Sequence, residues 1–327
     1  MDYKYVCNEL YQYLLPEDVC RGILFLKDRD FADTSIDLSN VEVMIGQPFL
    51  MQKPLLDRMP KLKWLQDTGA GFDAADCAEI KRRGIILTNS RGVMSCSIAE
   101  DVMLKMLFFA RKAREVEEDK RNHHWNMFGQ DQWMCVCYSD LYGKTLGILG
   151  YGSIGHEIAL RAHAFGMKVI AFGLDKISDN LLDAYYGDLK DIDTILEQSD
   201  FISINLPLVD STRHIINDAA FARMKPTAML INVARGPIID ENALYRALRD
   251  KKIAWAACDV FEKEPLSESS PLWDLDNIFI TSQKTFAGSI NFRKSFFCAC
   301  ISQQARQRAV SSGAHMFNSR VCNATSR

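Results

Sequence analysis

After Asp276 this 327-residue chain contains no aspartate or glutamate, although Lys284, Arg293, Lys294, Arg306, Arg308, Arg320 and Arg327 all follow. The missing acids leave a basic tail. It lacks the interleaved aromatics of a nucleic-acid arm, so residues beyond about 300 are expected to be irregular and loosely packed. Other absences narrow the field further. No segment reaches the roughly 20 apolar residues of a membrane span. The opening MDYKYVCNELYQYLL has no charged head, apolar core or small-residue cleavage site, which argues against a secretory signal and for a cytoplasmic protein. With a formal charge of −3, the chain has no basic field to recruit nucleic acid or an anionic membrane. The ten cysteines include two C-x-C pairs, Cys135 with Cys137 and Cys298 with Cys300, but no paired C-x-x-C. No metal site is expected, and the thiols are read as reduced. There is no internal repeat and no low-complexity linker. The expected partners are small molecules and other subunits.

Hydrophobic residues make up 48% of the chain and charged residues 25%, the proportions of a globular protein with a sizeable core. Its length exceeds one ordinary domain, so two are expected. Residues 1–96 carry the apolar runs 23–26, 41–46, 62–66 and 84–89, a small βα domain. The segment 97–111, SIAEDVMLKMLFFAR, repeats apolar residues at helical spacing behind a serine, and is read as the helix joining the domains. Strand-like runs then follow at 145–149, 168–172, 201–206, 228–233, 253–260 and 278–281. Helical segments at 156–165, 191–199 and 240–251 alternate with them, the last opening on a capping aspartate. Six strands in βα alternation predict an α/β fold with a Rossmann-type doubly wound parallel sheet over 97–288.

Gly150-Tyr151-Gly152-Ser153-Ile154-Gly155 stands directly after one of those strands and opens a helix, the context that the G-x-G-x-x-G fingerprint requires. Gly150 suits a tight turn, Gly152 a close approach of backbone to a pyrophosphate, and Gly155 close packing of helix on strand. The helix amino terminus then faces the phosphates. Ligands of open α/β sheets bind at the carboxyl ends of the strands. Pro207, Arg235, Asp259 and Gln283 all fall at such ends, so one crevice can receive them.

The stretches KTLGILGYGSIG, NLPLVDSTRHIIN, INVARGPIIDENALYRAL and DVFEKEPL, with LKWLQDTGAGFDAAD and LTNSRGVMSCSIAE earlier, resemble successive signatures of the D-isomer-specific 2-hydroxyacid dehydrogenases. The resemblance runs from about Val41 to Phe297. It implies an oxidoreductase moving a hydride between NAD or NADP and a small 2-hydroxy or 2-oxo acid. The alternative reading is a catalytically impaired dinucleotide-binding sensor or interaction protein of the same fold. The resemblance also implies that the substrate domain is flavodoxin-like and discontinuous, with residues 289–327 supplying a return helix and the basic tail.

In that reading Arg235 holds the substrate carboxylate and carbonyl, since guanidinium is permanently charged and presents a planar fork of donors. Backbone groups of Ala70 and Gly71 supplement it. Asp259 accepts from the nicotinamide carboxamide, and Pro207, Thr212, Val233 and Ala234 line the cofactor. Glu264 occupies the family's Glu-Pro position and is expected to pair with an acid/base group. In the family that group is a histidine in a T-P-H segment. Here the sequence is Thr281-Ser282-Gln283, and none of the six histidines falls nearby. Glutamine donates a hydrogen bond but no proton, so Lys284 or a water held by Glu264 is left as the alternative donor. NAD-selective proteins place an acid about 20 residues past the glycines, where this chain has Gly173. Asp175 and Lys176 follow, one favouring a free 2′-hydroxyl and the other a 2′-phosphate, and the missing acid tilts the expectation towards NADP. A homodimer through the cofactor domain is implied, with 97–111 and the arm Trp125 to Tyr142 as the nominated surfaces.

Overall fold

The computed structural model describes residues 3–15, 17–125, 138–175 and 177–282. Lys176, Gln283, Lys284, most of the nominated arm and everything assigned to residues after 288 lie outside the described residues. The chain divides into two units, and within the described residues the division falls between Met94 and Ser95.

The first unit holds five parallel strands: β1 Tyr5–Asn8, β2 Ile23–Leu26, β3 Val43–Gly46, β4 Trp64–Asp67 and β5 Ile86–Thr88, in the order β2-β1-β3-β4-β5. That is the flavodoxin-like order. The sequence predicts only four of them. β1 escapes because its four residues, YVCN, sit among tyrosines and charges that mask the apolar signal, although Val6, Cys7 and Asn8 are fully buried. Val6, Met44 and Leu65 from three strands meet Met51, Leu56 and Met59 in one core.

The second unit is a seven-stranded, all-parallel sheet, not the six-stranded one expected. Its strands are β6 Thr145–Leu149, β7 Lys168–Phe172, β8 Ala184–Tyr186, β9 Phe201–Ile204, β10 Met229–Asn232, β11 Trp255–Cys258 and β12 Ile278–Ile280, in the order β12-β11-β10-β9-β6-β7-β8. The unpredicted β8 is a three-residue edge strand that is only half-buried, so it carries no run for a pattern to catch. The inner strands read as unbroken apolar runs because both faces of the sheet are covered. Alternate side chains feed opposite cores: Val169 and Ala171 join Ile148, Met229 and Ile231 on one face, while Ile170 and Phe172 join Ile202, Leu230 and Ala256 on the other. Each such side chain contributes roughly 1.5–3 kcal/mol by leaving water.

The helix Ser95–Ala110 opens this unit, close to the 97–111 expected. On it Lys105 is fully buried and paired with Asp101 four residues earlier. The helix expected at 156–165 begins instead at Ser153. Asp240 caps the helix Glu241–Arg249 by accepting from the Ala243 amide at 3.0 Å, as its sequence position suggests. No helix among the described residues is long and apolar enough to cross a membrane.

Candidate active site

β6 and β9 are neighbours, so the chain reverses direction across the sheet between them, and the turns at their carboxyl ends face the crevice where open α/β sheets bind ligands. Gly150 ends β6 with φ +105, a left-handed conformation suited to glycine, and a Cβ on it would lie 2.7 Å from the Asn205 carbonyl oxygen after β9. A Cβ on Gly155 would stand 2.7 Å from the Gly150 carbonyl oxygen, so only glycine lets the helix Ser153–Ala164 sit this close to β6. Gly152, at the cap, has no side chain to satisfy the first turn. The amides of Ser153, Ile154 and Gly155 therefore have no intrahelical acceptor and form an electropositive helix terminus. In the turn that meets Gly150, the buried Asn205 Oδ1 has no hydrogen-bond partner among the described residues.

The loop after β7 carries Gly173 and the exposed Asp175. It is tied back to the glycine loop through Asp179, whose Oδ2 accepts from the Tyr151 hydroxyl at 2.7 Å and lies 2.9 Å from His156 Nδ1. Asp179 Oδ1 accepts from the Leu181 amide at 3.0 Å. That amide, with Tyr151 and His156, holds the Asp179 carboxyl below the usual carboxylate range. Burial, with Asp179 beside it, pushes the Tyr151 phenol up.

At the end of β9, the Thr212 hydroxyl turns inward, donating to the Pro207 carbonyl at 2.7 Å and accepting from the Val209 amide at 2.9 Å. Thr212 thereby shapes the turn that presents Pro207. After β10, Asn232 Nδ2 donates to the Arg235 carbonyl at 3.1 Å and its Oδ1 accepts from the Ala234 amide at 3.1 Å, bracing the Val233-Ala234-Arg235 segment from below. Asp259, just past β11, is almost fully buried and accepts from the Thr281 hydroxyl at 2.6 Å. Glu264 Oε1 accepts from the Phe261 amide at 3.1 Å, which holds its exposed side chain near the turn. The second unit thus gathers the glycine loop, Gly173, Pro207, Thr212, Val233 to Arg235, Asp259 and Glu264 at one edge of its sheet. Ala70 and Gly71 belong to the first unit, in the loop after β4, where Asn89 Nδ2 donates to the Ala70 carbonyl at 2.7 Å.

A family model described as the D-isomer specific 2-hydroxyacid dehydrogenase, NAD binding domain, matches residues 103–283, more than half of the chain. The chain belongs to this family. Among its relatives, glyoxylate/hydroxypyruvate reductase B of Shigella boydii is 35% identical over 279 residues, covering 84% of each protein. A D-isomer specific 2-hydroxyacid dehydrogenase family protein of Aeromonas salmonicida superposes with a TM-score of 0.78 at 30% identity, covering 97% of this chain and 98% of that one. D-Lactate dehydrogenase of Aquifex aeolicus, solved with NAD and lactic acid, does so with a TM-score of 0.78 at 25% identity, covering 93% and 96%. The protein is accordingly an NAD(P)-dependent oxidoreductase of the 2-hydroxyacid dehydrogenase type.

The residues of this chain fit a dinucleotide. A glycine turn that no Cβ would tolerate and a first helical turn without a cap suit a pyrophosphate, whose oxygens accept from the free amides, while the Asn205 oxygen would accept from a donor such as a ribose hydroxyl. Among the described residues no group of His, Cys, Asp or Glu side chains is arranged to hold a metal ion. Sequence reasoning missed three contributors here: Asn205, Thr281 as the partner of Asp259, and the Tyr151–Asp179 tie. Asn205 was within reach, since it lies in the predicted run 201–206 at a strand's carboxyl end. The other two depend on side chains meeting across a sheet or loop, which no local pattern records.

Proposed function

We propose that this dehydrogenase reduces small 2-oxo acids of the glyoxylate or hydroxypyruvate kind, with a preference for NADPH. The observation that carries the reading is the packing of the Arg235 turn on the segment that leads to Glu264: Gly236 and the Phe261-Glu262 backbone are pressed so close that a Cβ on Gly236 would collide with the Phe261 carbonyl. The residue that follows Arg235 thereby packs against the segment whose Phe261 amide holds the Glu264 carboxylate, at the ligand-binding edge of the sheet. The names of the curated relatives, which act on glyoxylate and hydroxypyruvate, support the substrate class.

The amides of Ser153, Ile154 and Gly155 would hold the pyrophosphate of a nicotinamide cofactor, which would supply the hydride when bound. Arg235 binds the substrate carboxylate and orients the neighbouring carbonyl. Asp259, steadied by Thr281, would accept from the cofactor's carboxamide. Pro207, Thr212, Val233 and Ala234 form the wall of the cofactor groove, and Asp175 lies at its ribose end. Gln283 stands in the sequence where the family has its histidine, and a glutamine can donate a hydrogen bond but no proton. The proton that completes the hydroxyl comes from Lys284 or from a water held by Glu264. Residues 1–96 and 289–327 form the substrate domain and 97–288 the cofactor domain, which pairs with a second copy through 97–111 and the arm Trp125 to Tyr142.

The test is to follow NADPH and NADH absorbance against glyoxylate, hydroxypyruvate and pyruvate. Turnover with one or more of these, faster with NADPH, is expected. No turnover with any 2-oxo acid, from a protein that still binds cofactor, would overturn the substrate assignment.

A further inference from the structure

Gly173 has no conformational reason to be glycine, because its φ lies outside the left-handed region where side chains are strained. Its constraint is a neighbour. A Cβ built on Gly173 would stand 2.5 Å from the Tyr185 hydroxyl oxygen and 3.3 Å from the ring carbon bearing it. Tyr185 is held in that place from three sides. Its hydroxyl donates to the Asp175 carbonyl at 2.5 Å. Its ring meets Tyr151 edge-on, with centroids 6.2 Å apart. Its backbone is registered against Ala171 in the pairing of β8 with β7. Position 173 is where a dinucleotide-binding βαβ unit places the acid that receives the ribose 2′-hydroxyl.

We infer that Tyr185 is a specificity-determining residue for the cofactor: by filling the space that a side chain at 173 needs, it keeps a carboxylate out of the ribose position and leaves that position open to the 2′-phosphate of NADPH. The inference rests on the cofactor site proposed above. Asp179 does not stand in for the missing acid, since Tyr151 and His156 engage one of its oxygens and the Leu181 amide the other. A 2′-phosphate brought beside an acid at 173 would meet like charge, whereas glycine leaves only backbone there.

The test measures dissociation constants for NADPH and NADH by fluorescence on the full chain, together with the melting temperature of the cofactor-free protein. The parent is expected to bind NADPH more tightly. Gly173→Asp alone should lower the melting temperature and weaken both cofactors without reversing their order. Adding Tyr185→Ala to it should restore the melting temperature and move the NADH to NADPH preference by about tenfold or more towards NADH. Gly173→Asp with Tyr185→Phe, which removes the nearest atom but keeps the ring, should move it in the same direction by less. Reversal of preference by Gly173→Asp alone at an unchanged melting temperature would overturn the inference. So would a large gain in NADPH affinity for Asp175→Asn, because the carboxylate of Asp175 would then already hold the ribose position. Gly152→Val separates the two levels: loss of binding there with no shift in the double variants sinks only the role of Tyr185, whereas retained binding sinks the cofactor site beneath it.

Discussion

A side chain on Gly236 would run into the carbonyl oxygen of Phe261, so the turn that carries Arg235 lies directly against the segment that leads to Glu264. Backbone meets backbone there, and no rotamer change can relieve a collision. Gly236→Ala is therefore expected to destabilise the fold by about 1–3 kcal/mol and to lower kcat/KM by moving Arg235 relative to Glu264. Denaturant melts and steady-state kinetics check both. An alanine variant with parental stability and parental kcat/KM would show that the contact is slack.

Arg235 itself separates substrate from cofactor binding. If its guanidinium holds the substrate carboxylate, Arg235→Ala removes a charge-assisted pair and should reduce kcat/KM for glyoxylate about 10- to 100-fold. Arg235→Lys, which keeps the charge but loses the planar fork, should fall between. The dissociation constant for NADPH should be unchanged in both. Weakened NADPH binding of similar size would move Arg235 from the substrate to the cofactor.

Much of this was legible because the sheet of the second unit is buried on both faces. Runs such as VIAF in β7 are continuous and apolar, and the glycine spacing of the β6 turn follows from two close approaches, Gly150 to the turn after β9 and Gly155 to β6. The Rossmann-type architecture and the site-bearing strand ends were readable for that reason. β1 and β8 were not, because short strands with half-exposed or polar neighbours leave no periodic trace. Nor could sequence reveal why 173 is glycine. That depends on Tyr185, twelve positions away along the chain, which the pairing of β8 with β7 sets opposite Ala171 and whose hydroxyl thereby lies beside Gly173. Contacts of this sort are set by register, and register is a property of the folded sheet.

Glu241 and Glu262 exchange backbone hydrogen bonds: the Glu241 amide donates to Glu262 Oε1 at 3.1 Å, and the Glu262 amide to Glu241 Oε2 at 3.2 Å. Burial, reinforced by the charge of Glu262, raises the Glu241 carboxyl above its ordinary range. With the folded value above the unfolded one, its contribution to stability is complete at pH below the unfolded carboxylate value, and is lost as pH rises through the raised value. Glu241→Gln keeps an acceptor and removes the charge. Its melting temperature relative to the parent should therefore be higher at pH 8 than at pH 4. A difference that does not change with pH would assign no role to the charge.

Thiol reactivity offers a check on the interior. Burial pushes the thiols of Cys7 and Cys258 up to about 12, while Cys77 is exposed. The thiolate is the nucleophile, so iodoacetamide at pH 8 should label Cys77 in the native protein and spare Cys7 and Cys258 until denaturant is added. Peptide mapping reads this directly. Early labelling of Cys258 would mean that β11, and with it the strand end carrying Asp259, opens readily.

Gln283 bears most directly on chemistry. It stands in the sequence where the family has a proton-donating histidine, and a glutamine side chain has no proton to give at neutral pH. A positioned general acid is worth about 10² to 10⁴ in rate. Arg235 and Glu264 are both retained, so binding should outlast catalysis in the natural sequence. Gln283→His should then raise kcat for 2-oxo acid reduction by at least about tenfold, a modest part of that range. If Glu264 pairs with the new imidazole, its pKa should lie above that of a free histidine, and kcat of the variant should fall as pH rises through that value. Glu264→Gln in the same background should bring the inflection back down. KM for the 2-oxo acid should change little, because the carboxylate is held by Arg235. A Gln283→His variant no faster than the parent, together with inactivation by Lys284→Ala, would make Lys284 the donor and remove Gln283 from the proton's path.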